Sequence, residues 1–128
     1  MNREIKYIVF HCTATEQTAK VENIIKYWKR KGWKRNGYHF IIEPCGNVTQ
    51  LEPLETYANG VRGHNHHSIH ISYIGGKDID DRTPEQITSQ KAILKTLLAF
   101  LPNAEIMGHR DFEGVRKSCP RFEAKELI

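Results

Sequence analysis

Residues 5–11 constrain the fold more than any other part of the sequence. The segment is β-branched and aromatic, and nearly every position after Lys6 is apolar. A strand with apolar residues on both faces belongs inside a sheet that is covered on both sides. The segment therefore predicts a central buried strand with His11 at its C-terminal end. His11 is then either a core histidine bonded to a backbone carbonyl or part of a functional site.

The rest of the chain alternates between helical and extended patterns. Thr83 with Gln86 three residues later forms a capping-box pattern, and Pro84 suits the first turn of a helix. In chain order, the patterns predict a helix over residues 21–31, strands over residues 38–42, 48–51 and 68–74, a helix from residue 84, a strand over residues 104–107 and a short helix over residues 121–127. This order predicts an α/β fold, with a central mixed β-sheet flanked by helices, built as one domain over residues 1–128.

Charge and composition narrow the class of partner only slightly. A net charge of +4 suits an anionic polymer such as nucleic acid or cell wall, and it equally suits no charged partner. Basic residues cluster at the end of the first predicted helix, where a solvated helix terminus is favoured over a binding patch. The sequence contains no recognised nucleic-acid-binding motif, so we expect no nucleic-acid partner. We expect a monomer.

The cysteines and the first residues bear on the compartment. Cys12, Cys45 and Cys119 are odd in number and far apart, which predicts free thiols made in a reducing compartment. The charged N-terminal residues lead directly into the first strand without the apolar core of a signal peptide. No apolar run approaches the length of a membrane span. We therefore expect cytoplasmic synthesis and no membrane partner, and action outside the cytoplasm would need release by another agent.

Three residues form a candidate metal site. His109 and Cys119 stand ten positions apart, and His109, like His11, follows a predicted strand. If those strands are parallel neighbours, both histidines lie at one edge of the sheet. Zinc binds imidazole nitrogen and thiolate, and three protein ligands leave a fourth position for water, as in catalytic sites. The spacing alone is a weak signal because these three residues form no Cys-x-x-Cys or His-x-x-x-His pair among themselves.

A glycine- and histidine-rich segment over residues 60–67 precedes the strand over residues 68–74. His64, His66, His67 and His70 fall within seven residues, which is compatible with metal binding and with surface histidines in a polar loop. His66 and His70 are four positions apart, but that segment is predicted to enter a strand and not to form a helix. The interpretation that we favour is a loop that contacts a ligand.

Taken together, six segments resemble the zinc-dependent N-acetylmuramoyl-L-alanine amidases of the phage-lysozyme and peptidoglycan-recognition-protein type. They occur in the same order with compatible gaps and cover nearly the whole chain. The segments are Phe-His-Cys-Thr-Ala-Thr at 10–15, Gly-Tyr-His-Phe-Ile-Ile at 37–42, Gly-His-Asn-His-His-Ser-Ile at 63–69 with Gly-Gly at 75–76, Thr-Pro-Glu-Gln at 83–86, Gly-His-Arg-Asp at 108–111 and Lys-Ser-Cys-Pro at 117–120.

The resemblance implies a single catalytic domain with a shallow groove and one zinc ion held by His11, His109 and Cys119. It implies hydrolysis of the amide bond between N-acetylmuramic acid and the L-alanine of the stem peptide in peptidoglycan, in the manner of a phage or prophage endolysin. Tyr38 and Lys117 match catalytic positions of the phage enzymes. The loop with His64, Asn65 and His66 is expected to contact the substrate.

The chemistry of these residues agrees with that implication. Lys117 lies two residues from Cys119, so its ammonium is expected beside the oxyanion that develops when water attacks the amide. Tyr38 is expected to orient the water or donate to the oxyanion. A phenol with its ordinary pKa of about 10 is not a strong base.

Two positions depart from the pattern of the family. Many relatives carry a histidine five residues before the Asn of the Gly-His-Asn motif, and here that position is Gly60. The family often has glycine where His70 stands. If the missing histidine assists binding or catalysis, either the protein does without it or His64 or His66 replaces it. The side chain of His70 is expected to narrow the groove or to pack against the sheet.

Two other functions compete with the amidase. The first is a module that binds peptidoglycan without cutting it, but recognition proteins of that kind typically lack the Cys ligand that Cys119 would supply. The second is a basic protein with a structural zinc that binds nucleic acid or a polymerase, which no motif supports. The sequence favours the enzyme over both.

Overall fold

Five strands form one mixed sheet in the computed structural model, which describes residues 3–128. The strands are β1 Tyr7–Cys12, β2 Phe40–Ile42, β3 Val48–Gln50, β4 Ser68–Tyr73 and β5 Glu105–Gly108. Their order across the sheet is β3-β2-β4-β1-β5, with β3 antiparallel to β2 and all other neighbours parallel. The predicted mixed sheet is confirmed, and β1 has a parallel neighbour on each side.

Two α-helices flank the sheet, α1 over Val21–Arg30 and α2 over Pro84–Phe100. The predicted capping box starts α2, since Thr83 Oγ1 accepts from Gln86 N–H at 3.0 Å and Gln86 Oε1 accepts from Thr83 N–H at 3.0 Å. The predicted final helix over residues 121–127 is shorter than expected, a single 3₁₀ turn over Ala124–Leu127. Among residues 3–128, no helix combines the length and apolar character needed to cross a membrane.

The main hydrophobic core lies between the sheet and α2. Alternate residues of β1 and β4 point into it, and they meet Leu94 and Leu97 of α2 and the C-terminal Phe122. The opposite face of β1 carries Val9, which packs with Phe112 in a smaller cluster, and His11. Because side chains alternate along a strand, one face of the sheet packs in the main core and the opposite face carries the histidines.

Strand β4 alternates between polar and apolar residues, yet all six of its residues are buried. The polar residues Ser68, His70 and Ser72 lie on the face away from the main core and are fully shielded from solvent. His70 was expected to narrow the groove or to pack against the sheet, and its full burial agrees with the second alternative. Alternation predicted the two faces of the strand correctly, but the polar face is covered by other parts of the chain.

Candidate active site

Parallel pairing brings His11 and His109 to one edge of the sheet. Phe10 in β1 is the register partner of Gly108 in β5. The next residues, His11 and His109, therefore lie at the same level along the two strands. Gly108 packs closely there, because a Cβ atom on it would lie 2.8 Å from Cδ of Pro120. The predicted convergence of the two strand ends is confirmed by this register.

Cys119 reaches the same point through the segment that follows. Its carbonyl oxygen accepts from the backbone N–H of Arg110 at 2.9 Å, which ties it to the turn containing His109. The hydroxyl of Tyr73 donates to the carbonyl of Pro120 at 3.0 Å. The backbone N–H of Cys12 points at Sγ of Cys119 from 3.2 Å. These bonds hold the thiol beside the end of β1.

The side chains of His11, His109 and Cys119 form a cluster that can hold a metal ion. One potential ligand atom from each lies within 4.8 Å of the other two. Nδ1 of His11 is 3.9 Å from Sγ of Cys119, and the two imidazole rings are 4.9 Å apart between centroids. A tetrahedral zinc ion with bonds of roughly 2.0–2.3 Å separates its ligand atoms by about 3.3–3.7 Å. Two imidazoles and one thiol at these separations fit zinc in donor type and in spacing.

The protonation states of the two histidines suit metal binding. Burial, with the charge of Lys117 acting in the same direction, lowers the pKa of His109 to about 4. Burial and the neighbouring His70 and His109 hold the pKa of His11 well below its ordinary value. Both imidazoles are therefore neutral near pH 7 and keep a lone pair for a ligand bond. The adjacent Cys12 side chain, followed by burial, raises the pKa of the Cys119 thiol.

A groove of 610 Å³ opens over the cluster. The cluster residues form one part of its wall. Tyr27 of α1 forms another, together with Lys31 and Trp33, which follow the helix. The ammonium of Lys31 lies 4.4 Å from the ring centroid of Trp33 and 5.3 Å from that of Tyr27. Volumes of several hundred Å³ with apolar walls and a few converging polar groups are typical of ligand sites.

Tyr38 and Lys117 both line this groove. The Tyr38 ring lies 5.1 Å from that of His11 and meets Trp28 edge-on at 5.3 Å, while its hydroxyl donates to the Cys12 carbonyl at 3.3 Å. Burial raises the pKa of Tyr38, so the phenol stays protonated and can donate but not act as a base. Lys117 is exposed, and its charge contributes to the lowered pKa of His11 and His109.

The loop residues predicted to contact substrate lie elsewhere. His64 packs against Phe112 at 4.5 Å between ring centroids, and His66 is exposed beside Tyr57. The side chain of Asn65 points into the protein, where its oxygen contacts the backbone nitrogens of Gly60 and Val61 and the ring of His70. Within residues 3–128, none of these three residues lines the groove. Their role in substrate binding stays a prediction.

His70 was expected to narrow the groove or to pack against the sheet, and its contact with His11 was not predicted. Its Nδ1 atom lies 2.9 Å from Nε2 of His11 and its Nε2 atom lies 2.8 Å from Oδ1 of Asn65. Its imidazole occupies the space next to Gly60, where a Cβ atom would come within 2.3–2.5 Å of the ring. The two departures from the family pattern are thus one structural feature, since His70 fits only because residue 60 has no side chain.

Behind His70, a further buried histidine completes the packing. The backbone N–H of His70 donates to Nδ1 of His39 at 3.0 Å, and Nε2–H of His39 donates to the Thr56 carbonyl at 2.8 Å. Burial lowers the pKa of His39 to about 4, with the charge of Arg3 acting in the same direction and the bond to Thr56 opposing it. Tyr38 and His39 directly precede β2, where the Tyr38 ring lies 5.1 Å from that of His11 and the His39 ring lies 6.0 Å from that of His70, between centroids.

Comparison with known proteins identifies the family. The family model described as N-acetylmuramoyl-L-alanine amidase matches residues 1–122. The chain belongs to this amidase family. It is 36% identical to the endolysin of Escherichia phage T7 and 35% identical to the endolysin of Enterobacteria phage T3, in each case over 127 residues that cover 92% of this chain and 82% of the relative.

Solved structures agree with the family assignment. The N-acetylmuramoyl-L-alanine amidase LysC from Clostridium intestinale superposes with a TM-score of 0.87 at 26% identity, over 98% of this chain and 84% of that chain. The amidase is thus a single domain with a central mixed sheet, as the sequence predicted. The cluster of His11, His109 and Cys119 stands in the groove of this domain.

Proposed function

We propose that this amidase hydrolyses the bond between N-acetylmuramic acid and L-alanine in bacterial peptidoglycan, and that it uses one zinc ion held by His11, His109 and Cys119. The observation that carries the proposal is the cluster itself. Three side chains of the types that zinc prefers lie within 4.8 Å of one another in a groove of 610 Å³. Three ligands leave a coordination position open, which is typical of catalytic zinc.

When bound at this cluster, zinc supplies Lewis-acid activation of water and of the substrate carbonyl. The protein contributes the arrangement around it. The lowered pKa values of His11 and His109 keep both imidazoles neutral and able to bind. Hydrogen bonds within the protein hold the segment around Cys119 without relying on the metal, so the site is largely formed in advance.

Lys117 and Tyr38 are the residues that we assign to the chemical step. Lys117 is the cation on the groove wall nearest in sequence to the cluster, and its charge already acts on His11 and His109. We infer that its ammonium stabilises the negative charge that develops on the carbonyl oxygen. Tyr38 keeps its proton because burial raises its pKa. We infer that its hydroxyl donates to the same oxygen or orients the attacking water.

The groove also suits a sugar–peptide substrate. Tyr27 and Trp33 offer aromatic surface, and Lys31 lies between them. Aromatic rings pack well on the apolar faces of sugars and on aliphatic stems, and lysines attract the carboxylates of a stem peptide. Endolysins of two phages are among the relatives, which supports the intact cell wall as the target.

Mass spectrometry of the products from purified peptidoglycan tests the proposal. We expect free stem peptides that begin with L-alanine, their loss after chelation and their return after zinc is added. Cys119→Ser should lose most zinc affinity and nearly all activity, because a thiolate is the strongest of the three ligands. Cys45→Ser is the matched control, since Cys45 is an exposed cysteine in a turn outside the groove.

Other product patterns would overturn parts of the proposal. Fragments cut within the glycan, or peptides cut inside the stem, would contradict the assigned bond. Binding to the wall with no products, at full zinc occupancy, would place the protein among modules that recognise peptidoglycan without cutting it. Full activity in Cys119→Ser would contradict the ligand assignment.

A further inference from the structure

We propose that His70 and Asn65 are positioning residues that fix the tautomer of His11, so that Nδ1 of His11 carries the lone pair offered to the metal. The inference rests on the proposed metal-binding role of His11. It follows from four hydrogen bonds: two backbone N–H groups fix the amide of Asn65, and this amide then sets the direction of the bond to His70 and, through it, of the bond to His11. The starting point is an amide whose orientation is determined by the backbone.

The oxygen of Asn65 is identified by two donors. Its Oδ1 atom lies 3.1 Å from the backbone nitrogen of Gly60 and 2.8 Å from that of Val61. Backbone N–H groups only donate, so the atom that faces both of them is the oxygen and not the NH₂ group of the amide. This removes the usual ambiguity of asparagine side chains.

The same oxygen sets the tautomer of His70. Oδ1 of Asn65 is 2.8 Å from Nε2 of His70, and because an amide oxygen only accepts, Nε2 must carry the proton. A neutral imidazole has one N–H, so Nδ1 of His70 is an acceptor. His70 is fully buried, and neither partner of its ring, Asn65 or His11, is an anion.

His70 in turn sets the tautomer of His11. Its Nδ1 atom lies 2.9 Å from Nε2 of His11, so Nε2–H of His11 donates and its lone pair is at Nδ1. Nδ1 is the atom that faces Sγ of Cys119 at 3.9 Å. If His11 were protonated at Nδ1 instead, His70 would have to donate from its own Nδ1 atom. Two acceptors, Nε2 of His70 and Oδ1 of Asn65, would then face each other at 2.8 Å. Such a buried contact is unfavourable, so the relay selects one tautomer.

The fold makes room for this relay at one specific place. His70 pairs with Val9 across β1 and β4, and His11 lies two residues further along the same face of β1. Gly60 leaves the volume that the imidazole of His70 fills. A hydrogen bond to the second nitrogen of a metal-bound histidine orients its ring and raises its basicity, and losing such a bond typically costs 10- to 100-fold in metal affinity or activity.

Nitrogen NMR of metal-free protein labelled in its histidines tests the relay directly. We expect the signals of His11 to show the form protonated at Nε2. In His70→Leu the acceptor is gone, so we expect a mixture of tautomers and zinc affinity lower by about 10- to 100-fold in a chelator competition. In His70→Asn, which has nearly the shape of Leu, the amide oxygen can accept from His11 while its NH₂ faces Asn65. That variant should keep the tautomer and most of the affinity.

The outcomes separate this inference from the proposed function. A wild-type His11 protonated at Nδ1, or a His70→Leu variant that keeps both the tautomer and the zinc affinity, would overturn the relay. Equal losses in His70→Leu and His70→Asn would also overturn it, because they would show a packing role only. These measurements need no substrate, so an absence of peptidoglycan cleavage would contradict the proposed function and leave the relay standing.

Discussion

A Cβ atom on Gly60 would lie 2.3 Å from Nδ1 of His70 and 2.4 Å from its Cγ atom. Both separations are far below van der Waals contact, so a side chain at residue 60 and the imidazole of His70 exclude each other. The two residues are ten positions apart in sequence. The absence of a side chain at residue 60 therefore allows His70 to contact His11, a proposed metal ligand.

Gly60→Ala should therefore disturb the centre without touching its ligands. We expect the free energy of unfolding to fall by about 1–3 kcal/mol, because an added methyl group in a packed interior displaces its neighbours. Zinc affinity should fall as well, since His70 must move away from His11. Urea unfolding and chelator competition measure the two effects.

A double-mutant cycle provides the control for Gly60. In a His70→Ala background the imidazole is absent and the methyl group has room, so Gly60→Ala should cost much less stability there. Equal costs in the two backgrounds would show that residue 60 acts independently of His70.

Lys117→Ala should lower turnover and leave zinc binding intact. Removing a group that stabilises an oxyanion costs about 10²- to 10³-fold in kcat in comparable enzymes. Lys117 lines the groove as an exposed side chain, so its loss creates no cavity. Steady-state kinetics on peptidoglycan fragments, with zinc content measured in parallel, gives the result.

Arg116→Ala is the matched control for Lys117. Arg116 is an exposed cation one residue away and does not form part of the groove wall. It should retain kcat. Similar losses in the two variants would indicate a general effect of surface charge, and unchanged turnover in Lys117→Ala would contradict the oxyanion role.

The fold could be predicted because its signals are local. The apolar run of β1 and the capping box of α2 each depend on neighbouring residues, and parallel packing of strands then follows from their alternation with helices. The final helix was predicted too long, since Ala124–Leu127 forms only one 3₁₀ turn. A single turn has too few positions to leave a clear periodic pattern.

The site was predictable where residue type alone indicates the chemistry. His11, His109 and Cys119 were selected as potential metal ligands, the two histidines were placed at strand ends, and the structure brings all three together. The position of His70 was not predictable in this way. Its burial depends on the missing side chain at Gly60 and on the inward turn of Asn65. A polar residue on an alternating strand gives no local sign of whether distant segments will cover it.

Zinc binding should release about one proton near neutral pH. Metal ligands must be deprotonated to bind. Burial keeps His109 and His11 neutral already, whereas the Cys12 side chain and burial raise the pKa of Cys119, so its thiol is protonated in the absence of metal. Calorimetric titration in buffers with different ionisation enthalpies counts the protons. Release of two or more protons would show that a histidine is protonated in the metal-free site. Release of no proton would show that the thiolate is already present.

Stability should decrease in acid because of His39. Burial lowers its folded-state pKa from 6.5 to about 4, so below pH 6.5 the unfolded chain takes up a proton that the folded chain does not. The stabilisation is therefore complete above pH 6.5 and is lost as the pH falls toward 4, by about 3 kcal/mol in total. His39→Asn keeps an acceptor for the backbone N–H of His70 but cannot titrate. Urea unfolding of both proteins with chelator present should give stability curves that converge as the pH falls. Parallel curves would show that His39 is protonated in the folded state or that another histidine accounts for the loss.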